Sequence, residues 1–307
     1  MSVILAMLLS MSAALTAHAD ETYGDFTYAT YIEVDENEVE HEMVTITGYN
    51  KNAAKIVIPE QIDGKTVTYI DWDVFKNNTK LEEITLPSGL MGMNATFSGC
   101  TNLRKVNFPE EVSHNFSMDT HVIDTDTFRC CESLVNLSLP KGVTRISSDA
   151  FYACSSLSAI FIPDTVKILN KNAFKLCYQT IDVYYEGTEE QWSEIIRPAG
   201  ETIKNLRVHY NSDGIPNAEI TAAVKTEDGL SVTANVPYTC RMITAVYNDK
   251  NVMTDVKFTS VTSEDTEIPV EIDTSGAAKA KVFLWQVMHE SLPSGMIPIC
   301  EAKEFDL

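Results

Sequence analysis

The chain has 307 residues, a hydrophobic content of 44% and a formal net charge of −21. This length favours two domains and is enough to bury more than one core. The acidic balance argues against nucleic acid as a partner, because binding phosphates requires a basic patch. Anionic membrane surfaces are disfavoured for the same reason. We interpret the acidity mainly as a contribution to solubility, with a cationic partner as the less favoured alternative.

The first residues have the pattern of an export signal. An apolar run from Val3 to Leu15 precedes the A-x-A pattern of Ala17 and Ala19. No Lys or Arg precedes the run, so the position of the true start codon is left undecided. The pattern predicts a signal peptide over residues 1–19. The run is too short to span a bilayer. We therefore expect a protein that is secreted or held at the cell surface, without membrane insertion.

Residues 20–50 predict a hairpin that caps the following structure. Residues 26–34 and 42–49 alternate between apolar and polar side chains, and the acidic stretch Asp35-Glu36-Asn37 lies between them. Two alternating runs joined by polar residues are typical of a β-hairpin. A hairpin in this position would cover the open edge of the first unit that follows it.

Two markers recur through the middle of the chain. One is a proline preceded by an apolar residue, and the other is a phenylalanine. The prolines are Pro59, Pro87, Pro109, Pro140 and Pro163, and the phenylalanines are Phe75, Phe97, Phe128, Phe151 and Phe174. The phenylalanines are 22, 31, 23 and 23 residues apart, which gives a unit of about 23 residues with an insertion between Pro109 and Phe128.

Each unit predicts one short strand before its proline. The pattern L-x-x-I-x-L, as in Leu134, Leu137 and Leu139, ends in a period-two step that indicates a strand with one buried face. The proline removes a backbone donor and ends that strand. A single unit cannot bury its apolar face alone, so stacked units are expected to form a solenoid.

The best copies of the unit read LVNLSLPKGVTRISSDAFYAC and LSAIFIPDTVKILNKNAFKLC. They resemble the BspA-like leucine-rich repeats of secreted and surface proteins of bacteria, and the resemblance covers roughly residues 44–210. It implies a leucine-rich-repeat solenoid, predicted over residues 51–210, and a role in adhesion to surfaces. Near its end, Thr188 and Gln191 predict a helix that begins with a capping box.

Residues 211–307 have a different pattern. Short alternating runs such as LSVTANV and AKVFLWQV are separated by turn residues, and the repeat markers stop. This spacing is typical of a β-sandwich. The sequence therefore predicts a mainly β protein in which a leucine-rich-repeat solenoid is followed by a small β-sandwich-like domain.

Four of the seven cysteines share one position in the repeat, three residues after the phenylalanine. They are Cys100, Cys131, Cys154 and Cys177, and Asn78 holds this position in the first unit. Residues in one phase of a solenoid stack in register, so their side chains run parallel instead of facing one another as a disulfide requires. We expect a structural column of reduced thiols. Cys240 and Cys300 are the candidates for a disulfide.

One strand position in each unit is expected to point outward, because it lies between the two buried residues of the strand. From the second unit onward it is occupied by Thr85, Asn107, Ser138, Phe161 and Tyr184. Exposed aromatic rings on neighbouring strands could anchor a ligand. We predict that this row binds the ligand, unless the C-terminal domain or the helix near Trp192 covers Phe161 and Tyr184.

The sequence predicts no catalytic site, metal or cofactor. No zinc-binding Cys/His spacing, nucleophile elbow or phosphate-binding glycine loop occurs. Trp72, Trp192 and Trp285 lie in apolar patterns and are expected in the core or cap. We expect a monomer that recognises an extracellular protein or glycan through the solenoid. A carbohydrate-binding accessory protein that uses the C-terminal domain, and a hydrolase, are the alternatives.

Overall fold

The structure is a computed structural model that describes residues 21–34, 39–93, 95–110, 122–195, 203, 205–286 and 297–307. The predicted signal peptide over residues 1–19 lies outside these ranges. Within them the chain is nearly all β, with a single helix, α1 (Glu189–Glu194). A β-solenoid with units of about 23 residues is followed by two packed sheets, so the predicted fold class is confirmed.

The solenoid and its N-terminal hairpin are built from short strands. The described strands are β1 (Glu21–Tyr23), β2 (Phe26–Val34), β3 (Glu40–Tyr49), β4 (Lys55–Val57), β5 (Gln61–Ile62), β6 (Lys65–Ile70), β7 (Glu83–Thr85), β8 (Gly92–Met93), β9 (Lys105–Asn107), β10 (Val122–Ile123), β11 (Asn136–Ser138), β12 (Arg145–Ile146), β13 (Ala159–Ile162), β14 (Ile168–Leu169), β15 (Ile181–Tyr185) and β16 (Leu206–His209). Strands β2 and β3 form an antiparallel hairpin, and β3 pairs in parallel with β6 of the first unit.

Each unit contributes strands to parallel sheets on two sides of the solenoid. One side, which we call the strand face, contains β4, β7 and β9 and then β11, β13, β15 and β16. The other side contains β6 and β8 and then β10, β12 and β14. At the unit that carries the insertion, the described residues form no ladder between β8 and β10 on the second side. Among the described residues no ladder joins β9 to β11.

The repeat phenylalanines form a continuous stack through the core. Consecutive rings of Phe75, Phe97, Phe128, Phe151 and Phe174 lie 5.3–5.7 Å apart and within 12° of parallel. Tyr49 of the hairpin extends the stack at the N-terminal end, with its ring 5.5 Å from that of Phe75. Because each unit contributes one phenylalanine at the same position, stacking of the units places the rings in contact as a ladder.

The tryptophans differ in their surroundings. Trp192 packs against the solenoid core beside Tyr185, and its helix begins with the predicted capping box of Thr188 and Gln191. The prediction for Trp72 is wrong, because its side chain is 69% exposed. Trp72 follows the end of β6 in a turn, where the apolar pattern of the strand no longer determines which side a residue faces.

The C-terminal part has a core of its own between two antiparallel sheets. Its described strands are β17 (Glu219–Thr226), β18 (Gly229–Asn235), β19 (Cys240–Asn248), β20 (Met253–Val261), β21 (Glu267–Glu271), β22 (Ala277–Gln286), β23 (Ile297–Pro298) and β24 (Lys303–Asp306). One sheet has the order β17-β18-β21, and the other has β20-β19-β22-β23 with β24 also paired to β22. Val232 and Val270 of the first sheet pack with Met242 and Leu284 of the second.

Candidate binding site on the strand face

The predicted outward row lies in register along the strand face. Thr85 pairs with Asn107, and Ser138 pairs with Phe161, which in turn pairs with Tyr184. None of the five belongs to the buried cluster that contains the phenylalanine stack. The alternation of the strands therefore gives the direction of these side chains correctly.

The expected exposure of the two aromatic rings is wrong. Phe161 is 8% exposed and Tyr184 is 5% exposed, because both pack with Tyr238 of the C-terminal part in a cluster completed by Val135 and Ala159. The Tyr184 hydroxyl donates a hydrogen bond of 2.7 Å to the carbonyl oxygen of Pro237. The row therefore ends in a contact between the two parts of the chain.

A buried carboxylate lies beside this contact and bridges the same two parts of the chain. Asp182 on β15 is fully buried, and its Oδ1 accepts hydrogen bonds from Arg207 Nη1 at 3.2 Å and from Ser263 Oγ at 2.6 Å. His209 Nε2 lies 2.8 Å from the same oxygen. The Arg207 Nε lies 3.4 Å from a carboxylate oxygen of Glu264. Asp182, Arg207 and His209 thus join the last solenoid strands to the loop after β20.

This cluster contains the residue types of a hydrolase but has a different geometry. A serine nucleophile needs a base within hydrogen-bond reach. Here Ser263 donates to the carboxylate of Asp182, as Arg207 does, and no hydrogen bond between described residues joins Ser263 to His209. The arrangement joins the two parts of the chain by polar contacts, and its geometry gives the hydrolase alternative no support.

The interrupted sheet opens a cleft beside the uncovered part of the row. The cleft has a volume of about 580 Å³, within the usual range for ligand sites. Strands β9 and β11 form its two sides, and Phe161, Glu186 and Asp213 lie at its C-terminal end. The Ser133 amide bonds to the Thr101 carbonyl and the Lys141 amide to the Glu110 carbonyl, which holds the two units together on either side of the opening.

The two polar residues of the predicted row that line this cleft differ in how strongly their side chains are held. Ser138 is exposed, whereas Asn107 is half-buried and donates to Glu83 Oε1 at 3.0 Å and to Thr85 Oγ1 at 3.1 Å. Hydrogen bonds from Lys55, Asn107 and Lys105 lower the pKa of Glu83 to about 2, so its carboxylate stays charged near neutral pH. Asn107 is therefore pre-oriented by its neighbours, and Ser138 is free to contact a ligand.

The charges around the cleft do not balance. Lys105 pairs with Glu83 at 3.2 Å, and Lys141 pairs with Glu186 at 2.7 Å. The carboxylates of Glu110 and Asp213 also line the cleft, and neither has an ion-pair partner among the described residues. In the part of the chain that the structure describes, the cleft thus has two carboxylates at its rim that form no ion pair.

The four cysteines in repeat phase lie one above another inside the core. Each thiol donates a hydrogen bond to the carbonyl oxygen of the phenylalanine one unit earlier. The pairs are Cys100 with Phe75, Cys131 with Phe97, Cys154 with Phe128 and Cys177 with Phe151, at 3.0–3.3 Å. Each thiol therefore provides a polar link between neighbouring turns.

We expect these four thiols to resist a thiol reagent in the native protein at mildly alkaline pH and to react after denaturation without any reductant. The reactive form is the thiolate. Burial raises the pKa of Cys100 and of Cys177 to about 12, and it also raises the pKa of Cys131 and Cys154 well above the usual range of a thiol. Thiol counting before and after unfolding measures this, with half-buried Cys130 as an internal comparison. Recovery of the four as oxidised pairs would contradict the expectation.

The remaining cysteines differ from the column. Cys130 takes a left-handed turn position with a φ of 56°, one residue before Cys131. Cys240 and Cys300 both contact the C-terminal core and carry free thiols in the structure. Burial raises the pKa of Cys240 to about 12 and also raises that of Cys300. A disulfide between these two stays a prediction.

The repeat matches a known family. The family model described as the BspA type leucine rich repeat region matches residues 47–180 with six copies. Residues 47–180 are a BspA-type leucine-rich-repeat region. The model counts one copy more than the five phenylalanine markers indicate. No curated protein matches the chain.

Solved structures of bacterial repeat proteins are similar to this one. A leucine-rich-repeat protein of T. pallidum is 24% identical with a TM-score of 0.46, over 62% of this chain and 82% of that one. A leucine rich cell surface protein of Faecalibacterium prausnitzii is 18% identical with a TM-score of 0.41, over 73% and 62%. A leucine-rich-repeat protein of Bacteroides ovatus is 19% identical with a TM-score of 0.37, over 54% and 55%.

The described residues contain neither a candidate membrane-spanning helix nor a candidate metal site. No helix there is both long and apolar enough to cross a membrane. No group of three or more His, Cys, Asp or Glu side chains in this part of the chain is placed to hold a metal ion.

Proposed function

We propose that this chain is a secreted or cell-surface adhesion protein that recognises an extracellular protein or glycan through the cleft on its strand face. The opening between β9 and β11 carries this proposal. It is a concave site with polar and apolar walls on an otherwise continuous repeat surface. BspA-type repeats in this part of the chain are consistent with a binding role.

The proposed contacts are the uncovered members of the outward row. Ser138 and Asn107 line the cleft, and Thr85 lies beside Asn107 on the next strand. Phe161 also lines the cleft, although most of its ring is covered by the C-terminal part. Small polar groups beside a largely buried ring are common at the edge of protein interfaces. Tyr184 belongs to the contact between the two parts, so we assign it no ligand contact.

Replacing Ser138 with arginine is expected to weaken binding to the extracellular partner by about tenfold or more, which is about 1.4 kcal/mol. The long side chain would fill the cleft, and Ser138 is exposed, so stability should change little. Binding of the whole chain to arrays of host-matrix proteins and glycans measures the effect.

The matched control is Thr180→Arg, which adds the same charge at an exposed solenoid position outside the cleft. Equal binding by the wild type, the Ser138 variant and the Thr180 variant would contradict the proposal. The whole chain is needed for this assay, because separating the two parts would expose the buried surfaces of Phe161 and Tyr184.

A second candidate function rests on the outer surface of the C-terminal sheet. Phe258, Ile243 and Phe283 lie side by side on three adjacent strands, and Phe258 is 52% exposed. Trp285 continues this strip on β22. Such an apolar strip could stack on sugar rings, as in a carbohydrate-binding accessory protein. In the same arrays, Phe258→Ser should abolish glycan binding under this alternative and leave it unchanged under the cleft proposal.

A further inference from the structure

We infer that the ligand of the cleft is a neutral glycan, of which about one or two sugar rings lie in the cleft. This rests on the proposed function and names the class of ligand at the same site. The sugar lies on the side chains that point away from the solenoid, and not between the strands, because backbone hydrogen bonds hold the two units as ordinary neighbours. A sugar needs an apolar surface for its C–H groups and polar groups for its hydroxyls, and the cleft has both.

The apolar surface is a ring that the interrupted sheet leaves partly uncovered. Phe108 is half-buried and lines the cleft together with Pro109. In the other units the residue before the repeat proline is at most 3% exposed, at Ile58, Leu86, Leu139 and Ile162. The Phe108 ring meets the core ring of Phe128 edge-on at 6.4 Å, which holds it in place. An aromatic ring held in this way is a surface on which a sugar ring packs.

The polar groups of the cleft are held so that they offer hydrogen-bond acceptors. The carboxylate of Glu83 only accepts hydrogen bonds, so the Asn107 side chain must direct its Nδ2 towards it. The second Nδ2 proton goes to Thr85 Oγ1. The Asn107 Oδ1 is therefore the atom left to contact a ligand, as an acceptor. Ser138 is exposed on the opposite side of the cleft, and its hydroxyl both donates and accepts.

The charges at the cleft favour a ligand without negative charge. Both of its lysines, Lys105 and Lys141, are engaged in ion pairs within the solenoid. Glu110 and Asp213 also line the cleft, and neither forms an ion pair within the described ranges. With the net charge of −21, these carboxylates repel uronic acids and sulfated sugars. The hydroxyl groups of a neutral sugar donate hydrogen bonds to the same carboxylates.

The size of the cleft favours a sugar over a folded protein. Its volume of about 580 Å³ is in the usual range for small-ligand sites, whereas a stable protein interface buries about 800 Å² on each partner. The C-terminal part closes one end of the cleft, where Phe161 packs against Tyr238. Asn136 is held there by a hydrogen bond with Tyr238. The concave surface is therefore bounded and ordered before a ligand binds, which lowers the entropic cost of binding.

Synthetic disaccharides provide the probe, in a panel that matches neutral sugars with uronic-acid and sulfated sugars of the same linkage. Isothermal titration calorimetry on the whole chain should detect binding of neutral members only. Phe108→Leu should weaken this binding by about tenfold, because the ring is lost. The variant should fold, since leucine occupies the same repeat position at Leu86 and Leu139. Phe108→Tyr keeps the ring and should bind normally.

The double variant Glu110→Gln and Asp213→Asn removes the two negative charges, so its affinity for the acidic sugars should approach that for the neutral ones. Saturation-transfer NMR on the unmodified protein does not depend on any variant. Saturation of the aromatic protons should reach the C–H groups of the bound neutral sugar and not those of the acidic sugars.

Equal binding of neutral and acidic sugars by the wild type would overturn the inference, as would sugar binding that is unchanged in Phe108→Leu. Loss of sugar binding in Phe258→Ser would also overturn it, because the sugar would then lie on the C-terminal sheet. If Ser138→Arg abolishes binding of a folded protein and no sugar binds, the proposed function stands and the glycan inference fails.

Discussion

Replacing Phe151 with alanine is expected to lower the free energy of unfolding by about 3–5 kcal/mol, as large truncations in a packed core do. Phe151 is completely buried, and its ring stacks at 5.5 Å on Phe128 and at 5.3 Å on Phe174. The truncation removes both stacking contacts and leaves a cavity in the middle of the ladder. Because neighbouring units depend on their shared interface, the loss should extend beyond one unit.

Denaturant unfolding followed by circular dichroism measures this change. Trp72→Ala is the matched control, because it removes a larger aromatic side chain that is 69% exposed. Surface substitutions of this kind usually change stability by less than about 0.5 kcal/mol. A similar loss for the two variants would show that the ladder is not the main source of stability.

The sequence predicts the repeat well because the physical constraint recurs. A unit of constant length places each phenylalanine above the previous one, and the structure shows rings at 5.3–5.7 Å. The strand before each proline follows from a local period of two residues. The direction of Thr85, Asn107 and Ser138 follows from the same alternation.

The surroundings of the row could not be predicted in the same way. Tyr184 forms a hydrogen bond with Pro237, which lies 53 residues later in the sequence, and Asp182 forms one with Ser263, which lies 81 residues later. No local pattern encodes which segment returns to cover a strand. The alternation of β13 and β15 therefore shows that Phe161 and Tyr184 leave the solenoid core, but not that Tyr238 covers them.

The cleft was only partly predictable. The longer step between Phe97 and Phe128 indicates an irregular unit, and this is the unit at which the sheet is interrupted. An insertion does not by itself reveal whether the neighbouring strands stay paired. The roles of Lys141, Glu186 and Asp213 at the cleft depend on chain segments that come together only in the folded protein.

Replacing both Phe161 and Tyr184 with serine is expected to separate the unfolding of the two parts of the chain. The two rings and Tyr238 form most of a small buried cluster, and the Tyr184 hydroxyl bonds to Pro237. Their loss removes apolar burial and that hydrogen bond, at a cost of about 3–5 kcal/mol for the first ring and less for its neighbour. The wild type should unfold in one transition, because the contact couples the two cores.

Differential scanning calorimetry distinguishes these cases, since the variant should show two transitions with the solenoid and the C-terminal part melting separately. Tyr178→Ser is the matched control, because that ring is 72% exposed on the solenoid. Binding of the partner is measured on the same variants, so that a loss of packing can be distinguished from a loss of recognition. If the double variant melts like the wild type but no longer binds the partner, the structural role that we assign to the two rings is contradicted. The rings would then be ligand contacts. Altered melting with retained binding would place recognition elsewhere on the strand face, where Asn107 and Ser138 line the open cleft.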